Sequence, residues 1–117
     1  MKIVMTGGTG FIGSRLCREL RHQGHEVRLL TRYHLGGGVE TVADIISGAD
    51  AVVNLAGAPI NRRWTTAYKR EIVASRVDTT RRLVQAMARV TARPKVLIST
   101  SAIGAFDARG RYSETDP

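Results

Sequence analysis

Thr6-Gly7-Gly8-Thr9-Gly10-Phe11-Ile12-Gly13 stands between a short apolar run, Lys2-Ile3-Val4-Met5, and a stretch whose apolar residues recur at helical spacing. Lys2–Thr6 meets a glycine at once and reads as a buried first strand. Gly7, Gly10 and Gly13 then follow at intervals of three. Gly7 suits a tight turn, Gly10 lets the backbone approach a pyrophosphate, and Gly13 lets the next helix pack closely on the sheet. The N-terminus of that helix offers unpaired N–H groups and a positive dipole end to phosphates. Glycines alone are a weak signal, since a tight turn that binds nothing has the same spacing. Strand, glycines and helix in this order are the context the motif demands, and they assign Gly7, Thr9, Gly10, Phe11, Ile12 and Gly13 to a dinucleotide.

Outward from the motif the chain alternates. From Gly10 to about Gln23, Phe11, Ile12, Leu16 and Leu20 mark a helix, and Gly24 sits at its expected stop. Glu26–Thr31 reads as a second strand and Asp50–Leu55 as another. Thr65 or Thr66 caps a long helix to about Val90, with Ile72, Val77, Leu83, Val84 and Met87 inward. Lys95–Thr100 is the last clear strand. Strands alternating with helices predict a doubly wound parallel sheet in three α/β/α layers, with Lys2–Thr6 central. Glu26–Thr31 is expected on one side, and Asp50–Leu55 then Lys95–Thr100 on the other. Between Gly36 and Gly48 the pattern weakens: Val39–Val42 reads as a strand and Ala43–Ser47 as a turn of helix. A parallel strand needs a crossover of a dozen or so residues, more than Ala43–Asp50 provides. Either the sheet lacks its usual third strand or residues are missing from this passage.

The second strand bears on which dinucleotide is bound. An NAD site carries an acid about 20 residues on, at the ribose 2′-OH. Here the tip reads Leu30-Thr31-Arg32-Tyr33-His34, with no acid. Arg32 suits a 2′-phosphate instead, which favours NADP over NAD. His34, beside it, is a second candidate for that phosphate. At the third strand's end, the small residues of Asn54-Leu55-Ala56-Gly57-Ala58-Pro59 let a cofactor ribose lie against the backbone at Leu55, Ala56 and Gly57. Ser99-Thr100-Ser101 offers hydroxyls at the same sheet edge, Ser99 to the nicotinamide ribose and Ser101 to a substrate carbonyl.

Composition limits the partners. The 117 residues are 43% hydrophobic and 24% charged, one globular domain's worth of chain over residues 1–117. The net charge is +8, but basic residues are interspersed with Glu19, Glu26, Glu71 and Asp78, and aromatics are only 5%. That pattern disfavours a nucleic acid and suits an anionic small ligand. No apolar run approaches a membrane span, and the first residues carry no signal segment, so a cytoplasmic protein is expected. The single cysteine, Cys17, lies on the buried side of the first helix and reads as core. Trp64, beside Arg62 and Arg63, reads equally as a substrate-mouth residue or as an anchor for the helix start.

Thr6–Gly13, the Asn54–Gly57 turn and the strand-tip serines resemble the extended short-chain dehydrogenase/reductase family. Asn54 to Ile60, Arg63-Trp64-Thr65, Lys69, Ser75-Arg76-Val77 and Ser99–Gly104 resemble its atypical, sugar-nucleotide-epimerase-like branch. The resemblance implies a Rossmann sheet, a bound NADP and a polarising serine at Ser101. Three departures accompany it. None of Tyr33, Tyr68 and Tyr112 is followed four places on by lysine, so the family's Tyr-x-x-x-Lys proton-transfer pair is absent. Arg76 stands where many relatives have asparagine. The chain stops at Asp116-Pro117 where relatives continue, and the expectation is a cofactor half without its substrate half. Two functions follow: a NADP-dependent oxidoreductase or epimerase on a nucleotide sugar or related small carbonyl compound, or a non-catalytic NADP-binding sensor. A homo-oligomer is compatible with either.

Overall fold

The computed structural model describes residues 1–101, 110 and 113–115. Four strands, β1 (Lys2–Thr6), β2 (Glu26–Leu30), β3 (Ala51–Asn54) and β4 (Val96–Ser99), form one sheet in the order β2-β1-β3-β4. Every pairing is parallel, with Met5 opposite both Leu29 and Val53. This is the expected order, and the chain folds as a Rossmann-type α/β sheet.

Helices cover both faces because strand side chains alternate. α1 (Phe11–His22) lies on the side of Ile3, Met5, Val27, Ala51 and Val53, where Cys17 is buried at 4% exposure. Val4, Leu30 and Val52 point the other way, onto α3 (Val39–Ile46) and α4 (Thr66–Arg89). α2 (Arg32–Gly36) precedes α3 in the β2–β3 crossover.

Two expectations are corrected here. Val39–Val42 is not a strand: with Ala43 to Ile46 it forms the single helix α3, burying Val42, Ala43 and Ile46. Their spacing of one and three residues places them on one helical face, and that period outweighs the β-branched composition. Among the described residues the sheet therefore has no strand beyond β2, and α2 with α3 supplies the crossover. On α4, Val77 and Val84 are exposed (46% and 51%), whereas Leu83 and Ala86 are fully buried. The inward stripe runs through Ile72, Thr79, Leu83 and Ala86 to the C-cap Val90, with Leu83 one position from the exposed Val84.

The chain leaves β1 toward β2 and leaves β3 toward β4, so the winding direction reverses between two adjacent strands. In open α/β sheets the crevice at such a switch point, beyond the strands' carboxyl ends, is where ligands bind. Two loops meet there: residues 7–10 after β1 and residues 55–60 after β3.

Candidate functional site

The two loops touch backbone to backbone. Gly7 has φ +68°, and a Cβ on it would lie 2.6 Å from the Leu55 carbonyl oxygen. A Cβ on Gly13 would lie 2.0 Å from the Gly7 carbonyl oxygen. Gly13 therefore lets α1 close on the turn that leaves β1, an approach that a side chain at either glycine would block. Gly10 is the N-cap of α1, with no side-chain cap and no acidic residue in the first turn. The first-turn N–H groups have no intrahelical acceptors, and among the described residues no side chain competes for them.

Beneath the loops lies a polar hub that the sequence reading left without a role. Asn54, 4% exposed, accepts from Thr6 Oγ1 at 2.6 Å and donates through Nδ2 to Thr80 Oγ1 (3.1 Å) and Ser99 Oγ (3.2 Å). Thr6 Oγ1 in turn accepts from the backbone N–H groups of Leu55 and Ala56, each at 3.2 Å. One amide thus ties β1, β3, β4 and α4 together at the carboxyl edge. The available signal was an asparagine ending an otherwise apolar buried strand, since such a group must find partners inside.

The β3–α4 loop is tethered to the helix it precedes. Ala58 N donates to Ser75 Oγ (2.9 Å), the Arg76 guanidinium donates to the Ala58 carbonyl (3.2 Å), and Tyr68 Oη donates to that of Pro59 (2.5 Å). Trp64 Nε1 donates to the Ile60 carbonyl (2.9 Å), and Thr65 caps α4 by accepting from Tyr68 N (3.1 Å). Trp64 therefore anchors the approach to the helix. Arg76 lies across Gly57, whose added Cβ would sit 3.0 Å from the guanidinium.

A groove of about 510 Å³ runs along these loops. Gly7, Thr9, Gly10, Arg32, Leu55, Ala56 and Gly57 line it, together with Leu29, Tyr33 and Leu35. A neighbouring hollow of about 300 Å³ shares Arg32, Leu35, Ala56 and Gly57 and continues toward Glu71, Ser75 and Thr79 on α4. The fold brings together the glycine turn, the β3 loop and the β2 tip, although they are far apart in the chain. Other candidates stand off this lining. Phe11 and Ile12 begin α1 and are 95% and 67% exposed, away from the groove lining. Gly13 is buried below the turn, and Ser99, exposed, is held by Asn54. Ser101 is exposed beyond β4, and residues 102–104 and Tyr112 lie outside the described residues. Among the described residues no cluster of His, Cys, Asp and Glu suits a metal, and no helix is long and apolar enough to cross a membrane.

Comparison with known proteins bears on the same groove. Residues 3–117 match the model of the NAD dependent epimerase/dehydratase family. A chloroplastic SDR39U1 homologue of Arabidopsis thaliana, described as an epimerase family protein, is 35% identical over 136 residues, covering 100% of this chain and 39% of its own length. That span exceeds the 117 residues present here, so the plant relative carries additional residues within it. The crystal structure of human epimerase family protein SDR39U1 with NADPH superposes with a TM-score of 0.81 at 31% identity, covering 100% of this chain and 42% of that one. MoeE5, solved with UDP-glucose and NAD, gives 0.73 at 26% identity, covering 99% of this chain and 42% of its own. The chain spans about two fifths of the length of the curated relatives it matches.

Proposed function

The chain belongs to the NAD dependent epimerase/dehydratase family, and from that premise we propose that its groove holds NADP(H) in preference to NAD(H). The observation that carries this reading is a single groove bounded by the glycine turn and uncapped start of α1 on one side and by Arg32 on the other. The backbone cleared by Gly7 and Gly13, with the first-turn N–H groups of Phe11 and Ile12, suits a pyrophosphate. The Arg32 guanidinium suits a 2′-phosphate, and the β2 tip has no carboxylate for a 2′-OH. Residues 55–57 give the ribose a surface of backbone and small side chains, and Ser99 offers its hydroxyl at the nicotinamide end.

In the intact protein this cofactor serves an oxidoreductase or epimerase acting on a nucleotide sugar or related small carbonyl compound. The ligands of MoeE5 support that substrate class. The nicotinamide, when bound, supplies or accepts the hydride. Ser101 hydrogen-bonds the substrate oxygen, and the buried Asn54 amide keeps Ser99 and the β3 loop at fixed spacing beneath the ligand. The test is calorimetry on Arg32→Ala. NADPH affinity is expected to fall about tenfold or more, the loss of a charge-assisted contact, while NADH hardly changes. Equal losses for the two cofactors refute the reading.

One observation favours a non-catalytic NADP sensor. Tyr68 Oη is committed to the Pro59 carbonyl, and Tyr33, 87% exposed, stands beside Arg32 at the opposite end from the strand-tip serines. NADP(H) binding with neither net cofactor redox nor epimerisation of the sugar across a panel of nucleotide sugars selects this second reading. Turnover selects the first.

A further inference from the structure

Arg32 stands on the shortest helix of the described residues. α2 has five residues, too few for its internal hydrogen bonds to hold it alone. The Arg32 side chain makes no hydrogen bond or ion pair with any described residue, so only the backbone beneath it fixes where its guanidinium starts from. That backbone is clamped at both ends. At the N-terminal end, Thr31 Oγ1 accepts from His34 N (3.5 Å) while Thr31 N donates to His34 Nδ1 (3.0 Å). This is the reciprocal capping box usually closed by Glu or Gln, here closed by an imidazole. Thr31 Oγ1 lies 3.1 Å from the same Nδ1. At the C-terminal end, Arg82 of α4 donates to the Leu35 carbonyl.

Nδ1 receives the Thr31 amide N–H, so this contact uses the Nδ1 lone pair. Arg32 is the residue directly after the cap and lies inside the box. Its dihedrals are therefore set by the contact between residues 31 and 34. We propose that His34 is a positioning residue for cofactor selection: by closing the box with Thr31, its ring fixes the turn from which Arg32 reaches the 2′-phosphate. The inference rests on the reading of Arg32 above.

The test is calorimetry of NADPH and NADH on the intact protein and on its His34→Ala, His34→Gln and Arg32→Ala variants. His34→Ala weakens NADPH by about three- to tenfold, the worth of a lost cap, and leaves NADH within about twofold. His34→Gln, whose amide oxygen closes the same box, restores NADPH to within about twofold of the parent. A merely structural role moves both cofactors together, and that result overturns the inference. Equal weakening of NADPH by Ala and Gln means that the imidazole itself is required, and overturns it too. No effect of His34→Ala while Arg32→Ala still discriminates ends the inference and leaves the cofactor reading standing. Failure of Arg32→Ala to discriminate ends both.

Discussion

A methyl group at Gly13 would sit 2.0 Å from the Gly7 carbonyl oxygen, a backbone atom that cannot swing aside as a flexible side chain could. Gly13→Ala must push α1 away from the turn, and overpacking of this kind costs about 1–3 kcal/mol. We expect a lower denaturation midpoint and weakened NADPH binding together, because the helix start that would meet the pyrophosphate moves with the helix. An unchanged midpoint in urea would contradict the close packing. The three motif glycines were legible as a set from spacing. The partners of two of them were not: Gly7 is pressed by Leu55, forty-eight residues on, and Gly13 by Gly7 itself. Asn54 illustrates the same limit, since a lone polar residue ending a strand states a need for partners without saying which residues meet it.

At the scale of elements, the helices required a choice of face as well as a span. Thr66–Arg89 matches the expected long helix closely, and Thr65 caps it. Its inward stripe passes through Leu83, not Val84. Leu83→Ala should cost about 2–5 kcal/mol, since it opens a cavity against α3 and the sheet. Val84→Ala should change stability by no more than about 0.5 kcal/mol. Chemical denaturation of the two variants checks the assignment, and equal losses would reverse it. The two valines misled because a 24-residue helix with few buried positions carries apolar residues on more than one side. α3 differs for another reason: in eight residues the helical period shows only through which side chains are buried, Val42, Ala43 and Ile46, and that burial is a property of the packed chain.

At the scale of the whole molecule, the sheet is covered unevenly. β4 pairs only with β3 among the described residues, and Val96 and Ile98 remain 48% and 55% exposed on the face shared with α1. Exposed apolar edge strands favour pairing between copies, and a charge there opposes it. Ile98→Lys should therefore lower light scattering by the chain at a given concentration without lowering its denaturation midpoint. Scattering that does not respond would show that this edge is harmless.

The sequence by itself determined the strand–glycine–helix unit, the parallel order β2-β1-β3-β4 and the candidate contacts Gly7, Thr9, Gly10, Arg32, Leu55, Ala56 and Gly57 of one groove. Strand and helix periods and glycine spacing are local rules that hold before packing begins, and the strand order follows from the doubly wound pattern to which that motif belongs. Only the tertiary structure decided that Val39–Ile46 is a helix, that α4 turns Leu83 inward, that Asn54 joins three strands to a helix, and that His34 closes the turn bearing Arg32. Each of these depends on which group arrives opposite another once the chain is folded. A buried amide or an imidazole lone pair is specified by its partner's position, and that position is a property of the packed molecule.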